Sequence, residues 1–194
     1  LLSRRVHYMV GFRMENGAFI NFIYNRRFEQ LDVPFRIQED VTIPAGAYSF
    51  GAWNFTLNSD PSKRIYERFT YAPQTFFDGK RTDINAAIGL RATNRFATEF
   101  QYWRNDVDLP DGAFVVNLGI LRLDYALSPR TTLRGLFQYN SSTKQLSTTV
   151  RFNFRYTPGS DLYIAYDELR EDDRIMSFVR DRRLVVKMTY LLSR

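Results

Sequence analysis

The sequence predicts an all-β fold, an antiparallel transmembrane β-barrel of the outer-membrane type, on three observations. About eleven stretches, each roughly ten residues long, alternate apolar and polar side chains, as strands do when one face meets hydrocarbon and the other water. The connections between them alternate short and long. Aromatic residues make up 16% of the chain (17 Phe, 12 Tyr, 2 Trp), a supply suited both to strands and to membrane-interface belts. The clearest stretch is Leu146–Tyr156. There Leu146, Thr148, Val150, Phe152, Phe154 and Tyr156 share one face, and Ser147, Thr149, Arg151, Asn153 and Arg155 the other.

The 194 residues fit one domain, read here as a single β-barrel domain over 1–194. Mean hydropathy is −0.36, and no run approaches the roughly 18 apolar residues of a membrane helix. Hydropathy alone would suggest a soluble protein, but in a barrel only every second residue meets lipid and the average is diluted. Without cysteine there are no disulfides or thiolate metal sites, a composition compatible with an oxidising envelope compartment. A net charge of +6 raises nucleic acid as a partner. The basic residues are spread along the alternating stretches with no Lys/Arg block, however, so a basic pore lining or contact with anionic headgroups fits better, and no nucleic-acid partner is expected. Leu1 is not a start methionine and nothing near it resembles a signal peptide, so the chain is expected to be the C-terminal part of a longer protein.

Arg4–Met14 and Ala18–Arg27 form the first expected hairpin, turned by Glu15-Asn16-Gly17 with its Asn-Gly pair. Ala47–Leu57 and Arg64–Pro73 follow, joined through Ser59-Asp60-Pro61-Ser62. Arg81–Thr93 and Arg95–Arg104 turn at Thr93-Asn94-Arg95. Ala113–Leu127 and Thr131–Asn140 turn at Ser128-Pro129-Arg130, and Lys144–Tyr156 and Asp161–Tyr166 at Thr157-Pro158-Gly159-Ser160. Arg182–Leu192 is the last. Bacterial single-chain barrels have even strand numbers, and an open edge in lipid leaves backbone groups unpaired at several kcal/mol each. The eleven are therefore expected to belong to a larger even-stranded barrel closed by strands upstream of Leu1.

One face of these stretches gathers Asp83, Asn85, Arg91, Glu99, Gln101, Arg122, Asp124, Arg134, Gln138, Arg151, Asn153, Arg155, Arg183 and Lys187. An arginine at the lipid midplane costs about 2–4 kcal/mol, so this face must look into water or protein. Arg91, Glu99, Arg122, Asp124, Arg134, Arg151, Arg155, Arg183 and Lys187 are the expected lumen lining. Cross-strand ion pairs bracing the wall are the plain reading of these charges, and solute binding the sharper one. The opposite face carries Ile88, Phe100, Leu121, Leu123, Leu133, Phe137, Val186 and Met188.

Five phrases, in order and spacing, resemble a known family: PFRIQEDVTIPAGAY (34–48), LDYALSP (123–129), LFQYNS (136–141), RFNFRYTPGSDLYIAY (151–166) and LVVKMTY (184–190). The family comprises bacterial outer-membrane proteins of unassigned activity with an N-terminal domain resembling carbohydrate-binding module family 9 and a C-terminal β-barrel; the resemblance covers most of the barrel half. The sugar-binding-like domain is not in this chain, so no carbohydrate role transfers to its residues, and the family's motifs are structural. The chain ends Leu191-Leu192-Ser193-Arg194 without a terminal aromatic, leaving Tyr190 and Leu192 as substitutes. The resemblance implies a periplasmic C-terminus. Counting back places 157–160, 128–130, 93–95, 58–63 and 15–17 inside, all short, and 167–181, 141–143, 105–112, 74–80 and 28–46 outside, mostly longer. Phe96, Tyr125, Tyr156 and Tyr190 then form a periplasmic aromatic girdle, and Tyr102, Tyr139 and Tyr166 an outer one.

Signals for covalent chemistry are weak. His7, the single histidine, lies in the first strand between Val6 and Tyr8 and reads as a wall residue more readily than as a general base. Asp106, Asp108 and Asp111 resemble a calcium loop without its closing Glu. Glu171-Asp172-Asp173 either bridges lipopolysaccharide through divalent cations or keeps a loop soluble. No phosphate loop, metal-binding His pair or nucleophile elbow is present, and no catalytic residue, metal or cofactor is assigned. In segment 28–46, Phe35, Ile37, Val41 and Ile43 are too apolar for a free loop and Pro34 and Pro44 stiffen it. It either folds into the barrel mouth as a constriction, packs on a neighbouring domain, or lies as a plain surface loop.

The expected function is a non-enzymatic outer-membrane barrel, acting as a channel or as a membrane anchor and conduit for a partner domain. A non-conducting platform in an envelope complex is the alternative, an outer-membrane enzyme or a soluble β-sandwich a more distant one. Its expected partners are the bilayer, lipopolysaccharide, and periplasmic or surface proteins.

Overall fold

The computed structural model describes residues 3–38, 40–173 and 176–191, without the side chains of 172, 173, 176 and 177. The elements are β1 (Ser3–Arg13), β2 (Phe19–Leu31), β3 (Phe35–Gln38), β4 (Val41–Ile43), β5 (Gly46–Asn58), β6 (Ile65–Phe76), β7 (Gly79–Arg91), β8 (Phe96–Leu109), β9 (Gly112–Ser128), β10 (Thr131–Asn140), β11 (Gln145–Thr157), β12 (Ser160–Asp173) and β13 (Met176–Met188). Eleven strands form one antiparallel sheet in the order β1-β2-β5-β6-β7-β8-β9-β10-β11-β12-β13, and β3–β4 is a separate hairpin. The chain is thus all-β and antiparallel, a meander in which each sheet neighbour is the next long strand.

Several strands run further than their side chains suggest. The connection expected over 167–181 shrinks to 174–175, that over 105–112 to 110–111, and that over 74–80 to 77–78, while 59–64 is longer than any of these. Connection length therefore does not sort by parity. Polar and charged strand ends look like loops by composition, yet backbone pairing is indifferent to side-chain polarity when the charges have partners. In β12–β13, Arg182 pairs with Glu168 at 2.9 Å and Arg180 with Glu171 at 3.2 Å across the ladder. Leu192 and the carboxylates of Asp172 and Asp173 lie outside the described residues.

The chain divides into two compact units. Unit 1 comprises 1–62, 66–86 and 103–116, and unit 2 comprises 63–65, 87–102 and 117–194. In unit 1 the Asn16-Gly17 turn works because Gly17 sits at φ +82°, which an L side chain rarely adopts, and Asn16 Oδ1 accepts from Ala18 N at 3.0 Å. The core of this unit is Val41, Ile43, Val107 and Leu109, with Leu31, Ile37, Tyr48, Phe76, Phe77 and Phe114 packed against it. Segment 28–46 is therefore neither free nor irregular: its β3–β4 hairpin is pinned by Val41 and Ile43. Phe77 takes φ +51°, unfavourable for a bulky residue. Its ring is held by Tyr48, Phe50 and Phe76, with centroids at 5.1, 5.4 and 4.7 Å.

Gly79 opens β7 where a Cβ would lie 2.1 Å from the Asp108 carbonyl oxygen. Backbone cannot yield as a side-chain tip can. Gly79→Ala is expected to cost about 1–3 kcal/mol, read as a lower denaturation midpoint in guanidinium; an unchanged midpoint would show that β7 and β8 separate there freely.

Candidate functional site

Register defines the two faces of unit 2. Leu133 lies between Tyr125 and Phe152, Ile164 between Phe152 and Val186, and Leu162 between Phe154 and Met188. Arg134 lies between Asp124 and Arg151, and Arg155 opposite Asp161. Among the described residues no second layer covers the apolar side: Leu184 is 64% exposed, Val186 60% and Met188 69%. Phe154 is exposed too, and Phe152 is half-buried among its neighbours on the same face.

Among the described residues the polar face of unit 2 carries the ion pairs Arg122–Glu99 at 3.4 Å, Arg134–Asp124 at 3.2 Å, Arg155–Asp161 at 3.1 Å and Arg183–Asp167 at 3.8 Å, besides Arg180–Glu171. Thr149 Oγ1 donates to Asp167 at 2.8 Å, and Gln101 Nε2 donates to Glu99. Arg91 donates to the Lys63 carbonyl at 3.3 Å at the end of β7. Arg151 and Lys187 have no ion pair among the described residues. The wall is braced, but incompletely neutralised.

A groove of about 400 Å³ concentrates the excess. Arg130, Arg134, Arg151 and Arg155 line it with Asn153 and Tyr163. Arg134 and Arg151 are direct cross-strand partners, an arrangement that like charges make unfavourable by a few tenths to about 1 kcal/mol. Asp124 and Asp161 offset part of that charge, and the remainder favours an anion in the groove. Arg130 and Tyr163 were not expected here. Arg130 follows Pro129 in a turn, and nothing in a turn motif says which face its side chain joins.

Phe96, Tyr125 and Tyr156 lie at or near strand ends on the apolar face, and Tyr190 just beyond β13. Phe96 packs edge-on to Tyr125 with centroids 6.1 Å apart, and Tyr156 stacks with Tyr190 at 6.3 Å while donating to the Thr189 carbonyl at 2.7 Å. Of the expected outer set, Tyr139 lies near the end of β10, exposed opposite Leu146, whereas Tyr102, which donates to Asn117 Oδ1 at 2.7 Å, and Tyr166, which donates to Glu168, fall mid-strand because β8 and β12 run on to Leu109 and Asp173.

In unit 1, Val41 and Ile43 are buried, Ile37 is partly buried against them, and Phe35 is exposed. Tyr48 and Phe50, opposite Glu29 and Arg27 in register, share the face of Asn25 and Ala52. The hairpin's contact with Tyr48 therefore places it on the polar side of this unit. On the same side His7 Nδ1 lies 2.8 Å from Asn25 Oδ1, which also accepts from Arg5 Nη2 at 2.9 Å. The partner of the histidine is an amide, neither a nucleophile nor an acid. Asp106 pairs with Arg104 at 2.9 Å within β8.

No family model matches the chain, and no curated protein is similar to it. A solved structure of the porin NanC, in a rhombohedral crystal form, aligns over 86% of this chain and 81% of its own, with 12% identity and a TM-score of 0.41. Similarity at that level carries no argument about function.

Proposed function

We propose that the chain is the wall of a bacterial outer-membrane β-barrel that conducts small solutes with a preference for anions. The observation that carries this reading is the division of the unit 2 strands into two faces, one apolar and uncovered and one bearing paired and unpaired charges. A soluble sandwich would bury its apolar face under a second layer, and exposed apolar patches on soluble monomers rarely exceed a few hundred Å². Hydrocarbon is the environment in which such a face is stable, with Phe96, Tyr125, Tyr156 and Tyr190 in one headgroup region. The edges of β1 and β13 then need backbone partners, because unpaired groups in lipid cost several kcal/mol each. The ordered phrases shared with the family that carries a module-9-like domain support a place as the barrel half of such a protein.

Selectivity would arise at the Arg130–Arg134–Arg151–Arg155 groove, as rings of cationic side chains favour anions in pores. In planar bilayers under a KCl gradient, the zero-current potential is expected on the chloride-selective side. R134S/R151S is expected to move it toward the potassium side while leaving the chain inserted. Potassium selectivity in the unsubstituted chain would overturn the anion preference.

A second reading is favoured by the buried Val41 and Ile43: the β3–β4 hairpin closes the lumen and the barrel is a non-conducting platform for an envelope assembly. Absence of unitary currents from inserted protein, together with conductance after deletion of 33–44, would select it.

A further inference from the structure

We infer that the apolar face of unit 1 holds the phosphate of a phosphorylated membrane lipid between Arg4 and Arg26. The inference rests on the reading of that face as lipid-facing. Register places Tyr8 beside Tyr24 and Tyr24 beside Trp53; one rung on, Val6 beside Arg26 and Arg26 beside Gly51; and one further rung on, Arg4 beside Phe28 and Phe28 beside Ser49. The order along the strands is therefore aromatic belt, then guanidinium, then guanidinium, at the end from which the β3–β4 segment departs. Below the belt the same face is apolar, with Val10, Phe12, Phe22 and Leu57 exposed. Such an order matches a lipid molecule, with acyl chain, glycerol or sugar level, and phosphate in turn.

A groove of about 740 Å³ opens there, lined by Arg4, Val6, Tyr8, Tyr24, Arg26 and Phe28, among others. Tyr24, one of its lining residues, lies over Gly51: a Cβ there would come within 2.7 Å of the Tyr24 hydroxyl and 3.2 Å of its ring. No carboxylate lines the groove, and neither Arg4 nor Arg26 has an ion pair among the described residues. Unit 2 differs. Its apolar-face arginines, Arg170 and Arg182, are both held by Glu168. The unit 1 pair is left to an external anion, and at this depth that anion is a headgroup phosphate. Basic clusters beside a membrane gain about fivefold in binding per residue from anionic lipid.

The test uses the full chain reconstituted in phosphatidylcholine nanodiscs doped with diphosphorylated lipid A, its dephosphorylated form, or neither, with bound lipid counted by native mass spectrometry. Preferential retention of the phosphorylated form is expected, weakened roughly 30-fold by R4Q/R26Q and largely kept by R4K/R26K. R183Q, on the polar face, is expected to leave retention unchanged, and millimolar inorganic phosphate is expected not to displace the lipid. Equal retention of both lipid forms, or an undiminished preference in R4Q/R26Q, overturns the headgroup site while leaving the barrel reading intact. Displacement by free phosphate overturns the assignment to lipid. Failure of the unsubstituted chain to enter phosphatidylcholine discs at all overturns the barrel reading, and the headgroup site with it.

Discussion

Phe152→Arg is expected to remove about 2–4 kcal/mol of folded stability in lipid, whereas Asn153→Arg, one residue on, is expected to change it by less than about 0.5 kcal/mol. Phe152 sits between Leu133 and Ile164, with Val186 beyond, in the middle of the apolar face between the Tyr139–Leu146 rung and Tyr156. A guanidinium there has only hydrocarbon around it and must snorkel or thin the bilayer. Asn153 lies between Thr132 and Tyr163 on the polar face, in the arginine-lined groove. Another cation there meets water, and its diagonal like-charge neighbours cost only a few tenths of a kcal/mol. The difference between adjacent positions isolates the face from the strand, since both substitutions have the same backbone and the same net charge. Refolding into short-chain phosphatidylcholine vesicles, titrated with urea, measures it. Equal losses at the two positions would mean that neither face is in hydrocarbon.

Ile43→Ala is expected to cost about 2–5 kcal/mol, the range for emptying a buried aliphatic site, and to act on unit 1. Ile43 is 1% exposed and belongs to a small cluster with Val41, Val107 and Leu109. Val33, on the same segment, is 70% exposed, and Val33→Ala is expected to stay within about 0.5 kcal/mol. Hydrogen exchange at the β3–β4 amides reads the effect directly, with faster exchange in Ile43→Ala and unchanged rates in Val33→Ala. A channel constricted by this hairpin would also show larger or noisier unitary currents in Ile43→Ala. Unaltered protection would mean the hairpin is held by its backbone ladder rather than by the cluster.

The gradient of legibility along the chain follows from how local each property is. β11 was readable almost to the residue, Lys144–Tyr156 against Gln145–Thr157, because a period of two needs only one strand to express itself. The ends of β12 and β13 were not: Glu168, Arg170, Glu171 and Arg180 look like solvated loop until each is seen beside its partner. Segment 28–46 was recognisable as too apolar for a loop. Its anchoring partners Val107 and Leu109 lie more than sixty residues away, and no local pattern names them.

By itself the sequence determined the class of structure, the alternation of faces and which arginines share a side, since each depends on side-chain spacing within a strand. Only the tertiary structure decided that Arg134 faces Arg151, that Arg130 and Tyr163 join their groove, that Val41 and Ile43 pin a hairpin to the polar side of unit 1, and that Arg4 and Arg26 flank an acid-free groove above a tyrosine belt. Register between strands is a sum over many weak contacts along the whole ladder, and a one-residue slip, invisible to composition, would have exchanged every one of those neighbours.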